Sequence, residues 1–306
     1  MSGTVNTTHN QRRRKVLLAI CGIVLILALS FGGWVYEVKT QRDLNMQLLG
    51  AVRKGDAEAA RSLLKRGADP NIRDLPDEQL NLWQLIQHAF HKDRQIAQDQ
   101  TKTKTMIEMA MAPDSNPNII NVALVRTLLE AGARPDDCSD DVTPLMTAVD
   151  KDSLQTVQML LDHGANPLAK DDDGTHPIHF MSTLYDDPDK LKIADLLIKS
   201  GEDVNVTDNN GNTVLMYVCG WRDIPALRFL IAHGARVDVR DDNGDTPLIR
   251  YFKLQLPEHI PTVRFLIAHG ANVNQRNKDG ETALSLAKNR EDKQSIRLLK
   301  AAGAKR

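Results

Sequence analysis

The residues of this 306-residue chain best suited to chemistry are its histidines and its clustered acids. His176-x-x-His179 and His88-x-x-His91 each space two imidazoles so that one helix face could offer both to a metal ion. Such a site needs further ligands, and Asp171, Asp172 and Asp173 are close to His176 in the chain. His163, His233 and His269 all precede the same Gly-Ala pair, where a helix C-terminus favours a donor side chain, so their recurrence does not suggest a catalytic set. Gly50-x-x-x-x-Gly55 is followed by Asp56-Ala57, and so lacks the lysine and hydroxyl of a phosphate loop. Cys21, Cys138 and Cys219 are far apart, with no spacing for a disulfide framework or zinc. No catalytic, cofactor-binding or metal-binding residue is assigned on these patterns, and no enzyme activity is expected.

The elements that carry these residues recur. A Gly-Ala or Gly-Glu pair ends an apolar helical stretch at Gly67, Gly132, Gly164, Gly201, Gly234, Gly270 and Gly303, with spacings of 65, 32, 37, 33, 36 and 33. An apolar residue opens the following helix at Leu82, Leu145, Ile178, Leu215, Leu248 and Leu284, and Leu48 opens a first unit before Gly67. The distance from each Gly to the next opening residue stays between 13 and 15. The 31-residue excess of the second unit is therefore expected between its paired helices, on the side away from the turns. Thr143-Pro144 and Thr246-Pro247 read as an N-cap followed by proline at the first helical position. Each Gly can take the left-handed position that ends the second helix. Segments such as NVTDNNG and NQRNKDG then suit tight turns.

This combination of a period near 33, a T-P-L-H-like helix start, two antiparallel helices and a turn finger resembles the ankyrin repeat. The resemblance covers roughly residues 44–306, and residues 142–174 and 212–243 carry it best. His179 occupies the histidine position of that start, whereas His176 stands where the capping Thr belongs. The second unit, beginning LNLWQLI, departs most. The resemblance implies an all-α solenoid of about seven helix-turn-helix repeats that recognises a protein partner without cofactors. Stacking is required because one repeat cannot bury its own apolar face.

Stacked fingers would align many acids, among them Asp136, Asp137, Asp140, Asp141, Asp171, Asp172, Asp173, Asp208, Asp241, Asp242 and Asp279, interrupted by Arg73, Arg240, Arg276 and Lys278. They could steer a basic partner, although turn chemistry alone already calls for Asp. The expected partner-binding residues are Asp172, Asp173, Asp208, Arg240 and Asp242, with Trp221 and Arg222 in a helix–helix turn. Large rings are few (Trp83, Tyr185, Tyr217, Trp221, Tyr251 and Phe252), and core packing accounts for each alone.

Residues 16–35 form a 20-residue run without charge, preceded by Arg12, Arg13, Arg14 and Lys15. As a helix the run would span roughly 30 Å, the thickness of a bilayer core. The sequence thus predicts a basic cytoplasmic tail over 1–15, a signal-anchor helix over 16–36 ending at Trp34 and Tyr36, a linker over 37–43 and the repeat domain over 44–306. The positive-inside rule puts the repeats in the periplasm or an equivalent extracytoplasmic space. A signal peptide cleaved near Ser30 and a buried core helix are the alternatives. The tail–anchor–repeat layout suggests a bacterial protein. Net charge is −1, and the +4 of the tail leaves −5 for the rest, which gives no reason to expect nucleic-acid binding. The insertion, at about 88–120, contains Met106, Met109 and Met111 and reads either as a partner-binding flap or as a loop covering its neighbour. Two other functions fit less well: an immunity-type inhibitor of a toxin, and an enzyme or metal site in the insertion.

Overall fold

Short apolar helices dictate the architecture, because none is stable alone and each must bury its stripe against a neighbour. The computed structural model describes residues 33, 36–73, 104–112, 119–182, 188–221, 223–254 and 260–305. Within them a helix over residues 36–53 (α1) pairs with Ala57–Lys65 (α2). Met106–Met111 (α3) pairs with Val122–Glu130 (α4), and Pro144–Asp150 (α5) with Leu154–Asp162 (α6). The fourth repeat joins a 3-10 helix, Pro177–Ser182, to Pro188–Lys199 (α7). Val214–Trp221 (α8) pairs with Ile224–Ala232 (α9), Pro247–Lys253 (α10) with Ile260–Ala268 (α11), and Ala283–Asn289 (α12) with Lys293–Ala301 (α13). The described residues form no strand, only two isolated β-bridges.

Two rows of helices result. The inner row runs α3, α5, the 3-10 helix, α8, α10 and α12, each packed on the next. An outer row is built the same way from α2, α4, α6 and α7, then from α9, α11 and α13. Between the rows lies one continuous core in which Leu48, Leu124, Leu128, Leu145, Leu160, Ile178, Leu197, Leu227, Val263, Leu266 and Leu299 are sealed from solvent. Each such side chain gains about 1.5–3 kcal/mol by leaving water. Tyr251 and Phe252 are also fully buried, so these two rings are core.

Side-chain caps start the inner helices. Thr143, Thr246 and Thr282 accept hydrogen bonds from the backbone N–H of Met146, Ile249 and Ser285. At the other end of the repeat, glycines with φ near +90°, such as Gly234 and Gly270, terminate the outer helices. Asn71, Asn205 and Asn274 then clasp the next repeat. Each donates Nδ2–H to the carbonyl of Gly132, Gly234 or Gly303 and accepts from the N–H of Arg134, Arg236 or Lys305. Asn205 also opens a formal glycosylation sequon, but both ends of its amide are engaged in this clasp.

Residues 37–43, expected as a linker, are helical, and α1 runs on into the first repeat, where Asn45 accepts from the N–H of Asp69. In the second repeat Thr105 and Glu108 form a capping box at the start of Met106–Met111, while Leu82, where the repeat was expected to open, lies outside the described residues. Arg73 and Thr105 pair as a β-bridge across 32 residues, whereas Thr207 pairs with Thr213 across six. The surplus between bridge partners therefore enters ahead of the first helix, from the first finger, and not between the paired helices. Leu82, Trp83, His88, His91 and most of the insertion lie outside the described residues, as do Tyr185 and residues 1–32. Among the described residues no helix is long and apolar enough to cross a membrane.

Candidate interaction surface

The fingers are braced from within. Asp171, Asp208, Asp241 and Asn277 each accept, through a side-chain oxygen, the N–H of the residue four positions on: Thr175, Asn212, Asp245 and Glu281. Neighbouring fingers are then linked by backbone. Asn209 donates to the carbonyl of Asp173 at 2.8 Å, Asp242 to Asn210 at 2.9 Å and Lys278 to Asn243 at 2.9 Å. At Gly211 a Cβ would lie 3.0 Å from the backbone of Asp241 and Asp242, and φ is +77°. Glycine is required there by both space and conformation.

This bracing divides the expected partner-binding residues. Asp172, Asp173 and Asp242 are exposed at the finger tips. Asp172 lies against Asp141 of the preceding finger, and that contact raises its carboxyl above the ordinary range. Asp208 is a correction: it is only 7% exposed and spent on its own turn, so a partner cannot reach it. Burial pushes its carboxyl up, but hydrogen bonds from Tyr217 and Asn212 outweigh this and hold it below the usual carboxylate value. Arg240 binds the carbonyls of Gly244 and Arg276, which makes it a strut between fingers as well as a surface residue. Trp221 ends α8, and Arg222 lies outside the described residues.

A strip along the inner helices joins these tips. Tyr217 of α8 and Arg250 of α10 share one register position in successive repeats, and the guanidinium lies 5.6 Å from the ring centroid. That distance suits a cation–π contact. Both reach toward the fingers: the Tyr217 hydroxyl donates to Asp208 at 2.6 Å, and Arg250 pairs with Asp241 at 3.4 Å. Burial and then the Asp208 hydrogen bond push the Tyr217 phenol up to about 12, so it remains an uncharged donor. One turn on, Lys253 pairs with Asp245, Asp279 and Glu281, at 3.0, 3.5 and 3.6 Å. Burial lowers its ammonium value, yet these carboxylates outweigh that and raise it. Tyr217, Arg250 and Lys253 are only partly buried, so an amphipathic, charge-balanced face stays open beside the finger tips. Sequence reasoning named the tyrosine but missed Arg250 and Lys253. Their repeat position relative to Tyr217 was the available signal.

The histidine pair sits elsewhere. His176 and His179 are 5% and 2% exposed, with ring centroids 5.9 Å apart. His179 Nδ1 accepts the N–H of His176 at 3.0 Å, which matches the backbone role its motif position implies. Among the described residues no three His, Cys, Asp or Glu side chains converge to hold a metal ion. The partner of this pair is Glu202, whose Oε1 lies 3.4 Å from His176 Nδ1. Glu202 fills the position after the terminating glycine where the other repeats have Ala68, Ala133, Ala165, Ala235, Ala271 and Ala304. The recurring histidines, His163, His233 and His269, each place Nδ1 2.8 Å from the carbonyl four residues earlier, as helix-terminal caps.

Comparison with known proteins bears on the whole array. A family model described as Ankyrin repeats (3 copies) matches residues 78–171 and 178–276, and a second, Ankyrin repeat, matches residues 48–75. An ankyrin repeat protein of fowlpox virus is 33% identical over 129 residues, covering 42% of this chain and 17% of its own length. A second fowlpox virus ankyrin repeat protein is 27% identical over 221 residues, covering 71% of this chain and 53% of its own. The human transient receptor potential cation channel subfamily A member 1 is 33% identical over 93 residues, covering 30% of this chain and 8% of its own. The chain thus spans only about half or less of each of these proteins.

Proposed function

Because the chain belongs to the ankyrin-repeat family, whose repeats act as scaffolds for protein–protein interaction, we propose that it presents the strip from the finger tips to Tyr217, Arg250 and Lys253 to a protein partner. The observation that carries this reading is the bracing of Tyr217 and Arg250 against Asp208 and Asp241. Fixed side chains lose little entropy on docking, and Tyr and Arg are the residues on which interface affinity concentrates. Exposed Asp172, Asp173 and Asp242 beside them would speed encounter with a basic surface. A photo-crosslinking residue in place of Tyr217 should capture one protein in cells, while the same residue in place of Arg126 on the outer helix α4 should not. Equal capture at both positions would overturn the assignment.

The reading includes a membrane tether. Its support is the uncharged run over residues 16–35 behind Arg12–Lys15, with the repeats then on the extracytoplasmic side. The chain should resist alkaline carbonate extraction, and the repeats should be digested by protease added to spheroplasts. Release by carbonate, or protection from the protease, would remove the tether or its orientation.

A further inference from the structure

Three departures from the repeat plan meet in the fourth repeat. His176 replaces the capping Thr, Glu202 replaces the small Ala, and the first helix is a 3-10 turn. The glutamate supplies an acceptor at this helix start, its Oε1 taking the N–H of Ile178 at 3.4 Å, one residue before the N–H that the hydroxyl holds in the other repeats. Glu202 is 3% exposed, and its Oε2, His176 Nδ1 and His179 Nε2 have no hydrogen-bond partner. Native interiors seldom leave such groups orphaned together. A proton on Glu202 Oε1, 3.4 Å from His176 Nδ1, would give that ring nitrogen a donor and so satisfy one of the three.

We propose that the fourth repeat is a proton-gated joint in the solenoid, closed when Glu202 is a neutral acid that caps Ile178 and donates to His176, and loosened when that proton leaves. A buried carboxylate facing a neutral imidazole has no compensating charge. Lys170 and Asp171 of the preceding finger and His179 on the same turn also face His176. His179 in turn faces Asp208 and the backbone of Val206 and Asn212, and its ring meets Tyr217 edge-on at 6.0 Å. Lys190 of α7 is 3.1 Å from Asp152. Loosening therefore reaches Tyr217, but the joint itself does not depend on any partner.

Burial raises Glu202 to about 8, and the Ile178 N–H only partly offsets it. Burial lowers both histidines. A raised folded value means that stability is complete below the unfolded value and is lost as pH climbs toward about 8. The lowered histidines contribute above their ordinary value and lose that contribution as pH falls through their depressed one. The joint is tightest in between, in mildly acidic solution.

Amide hydrogen exchange of the full chain, corrected for the intrinsic rate, tests this between about pH 5.5 and about pH 8.5. Protection of residues 176–182 should fall by up to about tenfold per pH unit as pH rises toward about 8, while α10 stays level. Glu202→Gln should flatten the profile. If that variant does not fold, the pair Glu202→Ala and His176→Thr restores the residues of the other repeats and should be flat as well. A level profile in the unaltered chain, or an unchanged slope in the variant that folds, would sink the joint.

Discussion

The fourth and sixth repeats share one plan, yet the sixth begins with a seven-residue α-helix and the fourth with a six-residue 3-10 turn. The flanking glycines, the outer helices and the apolar opening residue correspond. What differs is a hydroxyl against an imidazole, and a methyl group against a carboxyl. In the sixth repeat Thr246 holds the N–H of Ile249, and the position of Glu202 is taken by the buried Ala271. In the fourth repeat Glu202 supplies an acceptor from below, one residue earlier, and the helix tightens around it. The comparison teaches that the apolar pattern sets where a repeat goes, while the cap decides how firmly its first helix is wound.

The largest expected effect breaks or upholds that contrast in the core. Leu248→Ala should cost about 3–5 kcal/mol and the equivalent Ile178→Ala about 2 kcal/mol, because a less firmly held turn collapses more readily around the lost volume. Urea denaturation of the full chain measures both, and equal costs would deny that the fourth repeat is looser. Next come the caps. Thr246→Ala should lose about 1–2 kcal/mol, whereas His176→Thr should gain rather than lose stability. The inter-repeat clasp follows. Asn274→Ala removes two hydrogen bonds and should cost about 1–2 kcal/mol. Leu168, 49% exposed, takes the clasp position after the third repeat's glycine, so Leu168→Asn should add up to about 1 kcal/mol. Smallest is Asp173→Asn. Only the backbone of Asp173 joins the finger ladder, so stability should move by less than about 0.5 kcal/mol. Association with a basic partner should slow, and the slowing should vanish in high salt.

Much of this was legible in the sequence, for identifiable reasons. Gly67 through Gly303, Thr143-Pro144 and Thr246-Pro247 are local signals, and local hydrogen bonds answer them. The helix-terminal role of His163, His233 and His269 and the backbone role of His179 were readable on the same basis. Burial was not. Asp208 and Asp173 look alike in sequence, but one faces Tyr217 from a packed turn and the other faces solvent. The helix start at Thr105 was passed over because Leu82 preserved a loop length that the other repeats share. Thr105 and Glu108 carried the better cap signature, at a spacing no other repeat uses. Glu202 was visible as a Gly-Glu among Gly-Ala pairs, yet only its meeting with His176 gives that difference a chemical meaning.

The bridge between Arg73 and Thr105 has a consequence for how this chain can change. An excursion pinned at both ends by one short contact adds only about 1–2 kcal/mol of closure entropy over a short turn, whatever residues it contains. A segment of another length could close onto the same bridge at a similar cost in chain entropy. The first finger is thus a place where the array can absorb a change of chain length at little cost.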